Sequence, residues 1–176
     1  GVTICFIDSG FYPHPDLATH KSRIKTIIDI TTPDDSSKYK DTSEASSFGG
    51  GLEEAFLWHG TMTSVVCAGD GYLSKGLYKG IASDAELVLL KVQDDHGTIT
   101  TANIVKALQW VLEHHREHGI RIVNMSISDD EAISFKQSEV DRLAEQLVEE
   151  GIVVVAAVGN DENGSIKPPA NSLNVI

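Results

Sequence analysis

The sequence predicts an α/β fold of three layers, a mostly parallel sheet with helices on both faces. Three observations predict it. Strands and helices alternate along most of the chain in the order strand, helix, strand, helix, strand. The strand segments are apolar throughout, which suits burial on both faces of a sheet. The helical segments carry a single apolar stripe, which suits packing on one side only. Crossovers between such strands are expected to be right-handed.

The elements follow in order. "VTICFI" (2–7) is β-branched and aromatic, hence a strand. "HPDL" (14–17) reads as a turn, because Pro13 and Pro15 fix the backbone. Residues 31–57 change character: "TTPDDSSKYKDTSEASSFGGG" is rich in Ser, Asp and Gly and reads as a surface insertion. In "HGTMTSVVCAGDG", Met62, Val65, Val66 and Gly69 fall on helical spacing, which places His59 at or near a helix start. "ELVLLKV" (86–92) is a strand. "TANIVKALQWVLEHHREHG" is an amphipathic helix with Ile104, Leu108, Val111 and Leu112 on one face and Gly119 as its stop. "IRIVNMSI" (120–127) is a strand. "EVDRLAEQLVEEG" is a second amphipathic helix, with Val140, Leu143, Leu147 and Val148 together. "IVVVAAV" (152–158) is a further strand, and "NSLNVI" at the end reads as the start of another.

The 176 residues suit one domain, able to bury roughly 70% of its unfolded surface. A formal net charge of −12 disfavours a phosphate-backbone partner, so nucleic acid is not expected. No apolar stretch is long enough for a membrane helix. Cys5 and Cys67 offer neither a CxxC nor a disulfide framework, and read as small apolar groups. Gly1 opens directly onto a core strand, which reads as a cut inside a longer chain.

In parallel sheets, reactive groups collect beyond the carboxyl ends of the strands. Three polar stations are expected there. Asp8–Ser9–Gly10 follows the first strand, Gly159–Asn160 follows "IVVVAAV", and His59 leads Gly60 and Thr61. An Asp, a His and an Asn on one rim point to acyl transfer. The Asp orients the imidazole, the His moves a proton, and the Asn steadies an oxyanion.

Five segments in order resemble the subtilisin-like serine peptidases, the subtilases. "FIDSGFYPHPDL" resembles their Asp box, and "HGTMTSVVCAG" resembles their His box. "KGIASDAELVLLKV", "VNMSIS" and "VVVAAVGND" are similar to the segments that follow in that family. The resemblance runs from residue 2 to residue 176. It implies a subtilisin-like fold and a serine endopeptidase working through an acyl-enzyme. It also implies Asp8 as the acceptor of the His59 Nδ1–H, His59 as general base and acid, and Asn160 as oxyanion donor.

The family nucleophile is a Ser in a G-T-S-M-A-like box, and this sequence holds no such box. Ser64 belongs to the His box, while Ser165 and Ser172 lie in expected loops without the flanking pattern. The expectation is a domain incomplete at both ends and inactive alone, its partner the missing C-terminal part of its own domain.

The resemblance also implies an extended polypeptide substrate. It would lie against Gly97 and Thr98 in "DDHGTIT", by strand addition. Ser126, Ile127 and Ser128 would form one wall of its specificity pocket. Asp129, Asp130 and Glu131 follow that wall, and would favour basic residues at the cleaved position. No organic cofactor is implied. A structural calcium ion at Asp16 is a family habit, although Lys75 and Lys79 make the neighbouring loop a poor oxygen cage. A secreted location is slightly favoured.

Three other readings compete. A peptide-binding relic of the same fold would lack the nucleophile altogether. A receiver-like signalling domain would use Asp8 as phosphoacceptor. His114 and His118 lie four apart on a helix and suggest a metal pair, but no Glu follows His114, so H-E-x-x-H is not met.

Overall fold

A computed structural model describes residues 1–31, 52–129, 132–160 and 164–176, with side chains in the second helix described from Leu57 onward. Its elements are β1 (Thr3–Asp8), α1 (Pro15–Ala18), β2 (Ile24–Asp29), α2 (Leu52–Ala68), β3 (Glu86–Lys91), α3 (Thr101–His118), β4 (Ile120–Met125), α4 (Glu139–Glu149) and β5 (Val153–Ala156). The five strands form one parallel sheet in the order β2-β3-β1-β4-β5. The α/β layered fold therefore stands as the sequence predicts it.

β1 is the central strand, and its alternation divides the core. Cys5 and Ile7 face α3 and α4, where they join Leu108, Val111, Leu143 and Leu147. Ile4 and Phe6 face the other way and join Phe11, Leu17 and Ala68 beside α1 and α2. Each fully buried side chain such as Phe6 or Leu89 contributes about 1.5–3 kcal/mol relative to leaving it in water. The two helices on the α3/α4 face are well capped. Thr100 and Ser138 accept backbone N–H groups at their N-termini, and Gly119 closes α3 in the left-handed region at φ 66°.

Three expectations need correction. The helix carrying His59 begins at Leu52, not near His59 itself, because "LEEAFL" is made of good helix formers. The far end of the 31–57 segment therefore belongs to α2, and residues 32–51 of it lie outside the described residues. "HPDL" is not only a turn. Its Pro15–Ala18 form the one-turn helix α1, capped by His14, whose Nδ1 accepts the Asp16 N–H at 3.1 Å. β2 is a strand that the apolar pattern did not announce, because Lys25 and Thr26 interrupt it.

Cys5 and Cys67 are free and belong to opposite faces of the sheet. Burial pushes the Cys5 thiol well up from its ordinary range. Among the described residues no helix is long and apolar enough to cross a membrane.

Candidate active site

Asp8 is the last residue of β1 and continues the series Ile4, Phe6, Asp8 toward α2. Because all five strands are parallel, their carboxyl ends share one rim, and Asp8 lies at its middle. The carboxylate is fully buried. A buried carboxylate needs donors, and four reach it. Oδ1 accepts from the Ser9 N–H at 2.7 Å, from the Ser9 hydroxyl at 3.2 Å and from His59 Nδ1 at 2.7 Å. Oδ2 accepts from the Thr63 hydroxyl at 3.2 Å.

The ionised carboxylate can only accept, so the imidazole proton lies on Nδ1. That leaves the lone pair on Nε2, away from Asp8. The His59 side chain is 43% exposed, against 0% for Asp8. The arrangement is a hidden carboxylate that fixes the tautomer of a ring still open to solvent.

Gly60 explains how the helix comes this close. A Cβ at Gly60 would lie 2.3 Å from the Gly10 carbonyl oxygen, 2.8 Å from the Phe11 ring and 3.0 Å from the Asp8 Cβ. Any side chain there would lift α2 off the tip of β1. Thr61 adds a second tie. Its hydroxyl donates to the Leu57 carbonyl at 2.6 Å and accepts the Tyr12 N–H at 2.9 Å. Ser9, Gly60, Thr61 and Thr63 were not singled out for these roles from sequence. The signal was available for Thr63, which is one helical turn from His59 and shares its face.

The other predicted residues are placed as follows. Asn160 follows β5 on the same rim side of the sheet, exposed, after Gly159 at φ 98°. Ser126, Ile127 and Ser128 continue from the end of β4, half-buried, with the Asn124 side chain donating to the Ser126 hydroxyl at 3.0 Å. Gly97 and Thr98 lie in a tight turn whose main-chain groups already have partners. Asp94 N–H donates to the Thr98 carbonyl at 2.9 Å and Gly97 N–H to the Asp94 carbonyl at 3.0 Å. Thr98 N–H donates to Asp94 Oδ1 at 2.8 Å, and Gln93 Nε2 donates to the Gly97 carbonyl at 2.7 Å.

Asp129 is not a solvated pocket edge. It is buried, its Oδ1 accepts from the Thr101 hydroxyl at 2.5 Å, and its N–H donates to the Pro168 carbonyl at 2.9 Å. Asp130 and Glu131 lie outside the described residues.

The serines have other occupations. Ser64 is buried and donates to the Thr61 carbonyl at 2.9 Å. Ser172 donates to Asp141 Oδ1 at 2.5 Å. Ser165 is exposed in a loop.

Asp16 does not fit a calcium cage. Its Oδ1 accepts the Leu73 N–H at 2.8 Å, and its main-chain oxygen accepts both the Asp70 N–H at 3.0 Å and Arg23 Nη2 at 2.6 Å. In the following loop, Asp70 Oδ1 accepts the Tyr72 N–H at 2.9 Å. Three of the oxygens nearest a cation there, Asp16 Oδ1, the Asp16 main-chain oxygen and Asp70 Oδ1, are already receiving hydrogens. His114 stacks on Trp110 at 4.5 Å, and its Nδ1 lies 2.9 Å from the Trp110 carbonyl. Among the described residues no three His, Cys, Asp or Glu side chains gather as metal ligands.

Comparison with known proteins identifies the family of the chain. All of residues 1–176 match the Subtilase family of peptidases. The chain is 30% identical over 184 residues to Serine protease AprX of Bacillus subtilis, covering 100% of this chain and 37% of that protein. It is 34% identical over 121 residues to Subtilisin-like protease 1 of Trichophyton rubrum, covering 66% of this chain and 22% of that one. Among solved structures, Sphericase superposes with a TM-score of 0.75 at 24% identity, and the S41 psychrophilic protease with 0.73 at 23%. Each covers 100% of this chain, which spans 52% of the solved one. These likenesses show the fold, and the chain belongs to the subtilase family.

Proposed function

We propose that residues 1–176 are the Asp- and His-bearing part of a serine endopeptidase of the subtilisin type. The observation that carries the reading is the 2.7 Å contact between Asp8 Oδ1 and His59 Nδ1, with Nε2 left free. In the full-length protein, His59 Nε2 takes the proton of the attacking serine as its oxygen bonds to the scissile carbonyl carbon. Asp8 holds the resulting imidazolium. The Asn160 side-chain amide donates to the oxyanion. His59 then gives its proton to the leaving amine, and water repeats the sequence on the acyl-enzyme. The substrate is a polypeptide in an extended conformation.

The nucleophile is a serine these residues do not supply, since no serine here has the family's surroundings. The 176 residues alone are therefore inactive. Asp8 does not suit the receiver-like reading, because a buried carboxylate with four donors has no oxygen open to a phosphoryl group.

A fluorophosphonate probe tests the proposal. It should label the full-length protein at one serine, and His59→Ala should abolish the labelling. The isolated 176 residues should stay unlabelled. Labelling of any serine within them would overturn the assignment of the nucleophile. A folded full-length protein that never labels would instead be a peptide-binding relic.

A further inference from the structure

Arg23 is a buried arginine whose hydrogen bonds, among the described residues, go to backbone carbonyls and not to a carboxylate. It is 8% exposed and stands just before β2. Nη1 donates to the Ala68 carbonyl at 2.5 Å and to the Ala85 carbonyl at 3.4 Å. Nη2 donates to the Asp16 carbonyl at 2.6 Å. The three oxygens belong to three different pieces of the fold. Ala68 is the last residue of α2, Ala85 leads into β3, and Asp16 lies in α1.

Two physical facts give this convergence a purpose. A helix leaves its last carbonyls without partners and a partial negative charge at its end. α2 has no basic residue in its last turn to answer that charge. The Arg23 guanidinium supplies it from outside the helix. A guanidinium is also planar and forked, so one group can serve several oxygens at once. Three oxygens drawn to one positive centre are what a small hard cation would also collect.

The surrounding loop already spends part of its own backbone on internal hydrogen bonds. The carbonyls of Gly69, Gly71, Tyr72, Ser74 and Tyr78 all accept hydrogen bonds within residues 69–80. Gly80 allows the loop to close against α2, since a Cβ there would lie 2.4 Å from the Cys67 carbonyl oxygen. Lys75 and Lys79 add positive charge to the same loop.

We propose that the Arg23 guanidinium is the structural cation of this corner. It stands in for a divalent ion in joining α1, the end of α2 and the lead into β3, around the base of the 69–80 loop, so the corner orders without calcium. The inference does not depend on the protein being an active peptidase.

Hydrogen–deuterium exchange of the full-length protein tests it locally, whatever ions bind elsewhere. Protection of peptides spanning 65–82 should be the same in millimolar calcium chloride and in EGTA. Arg23→Gln should speed their exchange about tenfold or more while peptides from β1 and β4 hold. Arg23→Lys should fall between, because an ammonium lacks the fork. Slower exchange of residues 69–80 in calcium for the unaltered protein would overturn the proposal, and so would an Arg23→Gln protein with unchanged exchange. If Arg23→Gln does not fold, the calcium comparison on the unaltered protein and the Arg23→Lys variant still decide.

Discussion

Asp8 and Asp141 are both aspartates, and both are at most 1% exposed. Their oxygens are served very differently. Asp8 receives three donors on Oδ1 and one on Oδ2. Asp141 receives the Ser172 hydroxyl on Oδ1, and its Oδ2 has no hydrogen-bond partner among the described residues. Burial therefore raises the Asp141 carboxyl above the ordinary aspartate range. The Ser172 and Ser138 hydroxyls oppose the rise, and the charges of Glu145 and Asp129 add to it. Asp8 ends the central strand under a helix that brings it donors. Asp141 sits in the first turn of α4 and ties down the 164–176 segment. Burial alone does not mark a site. What distinguishes the pair is how many donors the fold aims at each oxygen.

The sharpest way to break the contrast is Asp8→Asn. The amide keeps the shape but turns a donor toward His59 Nδ1, which favours the wrong tautomer. If the proposed function holds, turnover of the full-length protein should fall about 10⁴-fold, the scale of this change in Ser-His-Asp triads. The urea midpoint should move much less than the rate.

Thr63→Val is the milder cut on the same residue. It leaves Oδ2 without its hydroxyl donor and keeps nearly the same volume. One lost hydrogen bond is worth about 1 kcal/mol, so kcat should drop by roughly five- to tenfold with KM held. An unchanged kcat would show that Oδ2 needs no donor.

Asp141→Asn should have the smallest effect and leave turnover unaltered. It is read in stability against pH. A carboxyl whose folded pKa exceeds its unfolded one binds its proton more tightly when folded. Its contribution is present below the unfolded value, about 3.9, and is lost as pH rises through the folded value. Urea denaturation at stepped pH should show this decline, and Asp141→Asn should flatten it. A decline of the same slope in the variant would place its origin in another group.

The same two residues show what the sequence discloses. Asp8 is legible because it interrupts a run of apolar residues at a strand tip, and His59 because it stands in a box of small residues. Four of the five strands, α3 and α4 are legible because their apolar residues recur at strand or helix spacing. β2 is not, because Lys25 and Thr26 break "IKTIID". The start of α2 is not, because a polar stretch precedes it. Asp141 looks like an ordinary acidic residue in a helix's first turn, and nothing in its neighbours announces that Ser172, 31 residues away, will cover it. Arg23 is equally silent, since carbonyls carry no sequence signal. The turn at Gly97 and Thr98 shows the same limit. Its composition matches a peptide-pairing segment, while its hydrogen bonds close on themselves through Asp94.

The central place of β1 carries one more consequence. With β3 on one side and β4 on the other, this strand is the last part of the sheet that heat can loosen. Its hydrogen-bond partner His59 rides on a helix held to the strand's tip by the close approach at Gly60 and by the Thr61 and Thr63 hydroxyls. On warming, the helix would depart first. Turnover would then fade below the melting temperature of the sheet, and cooling would restore it.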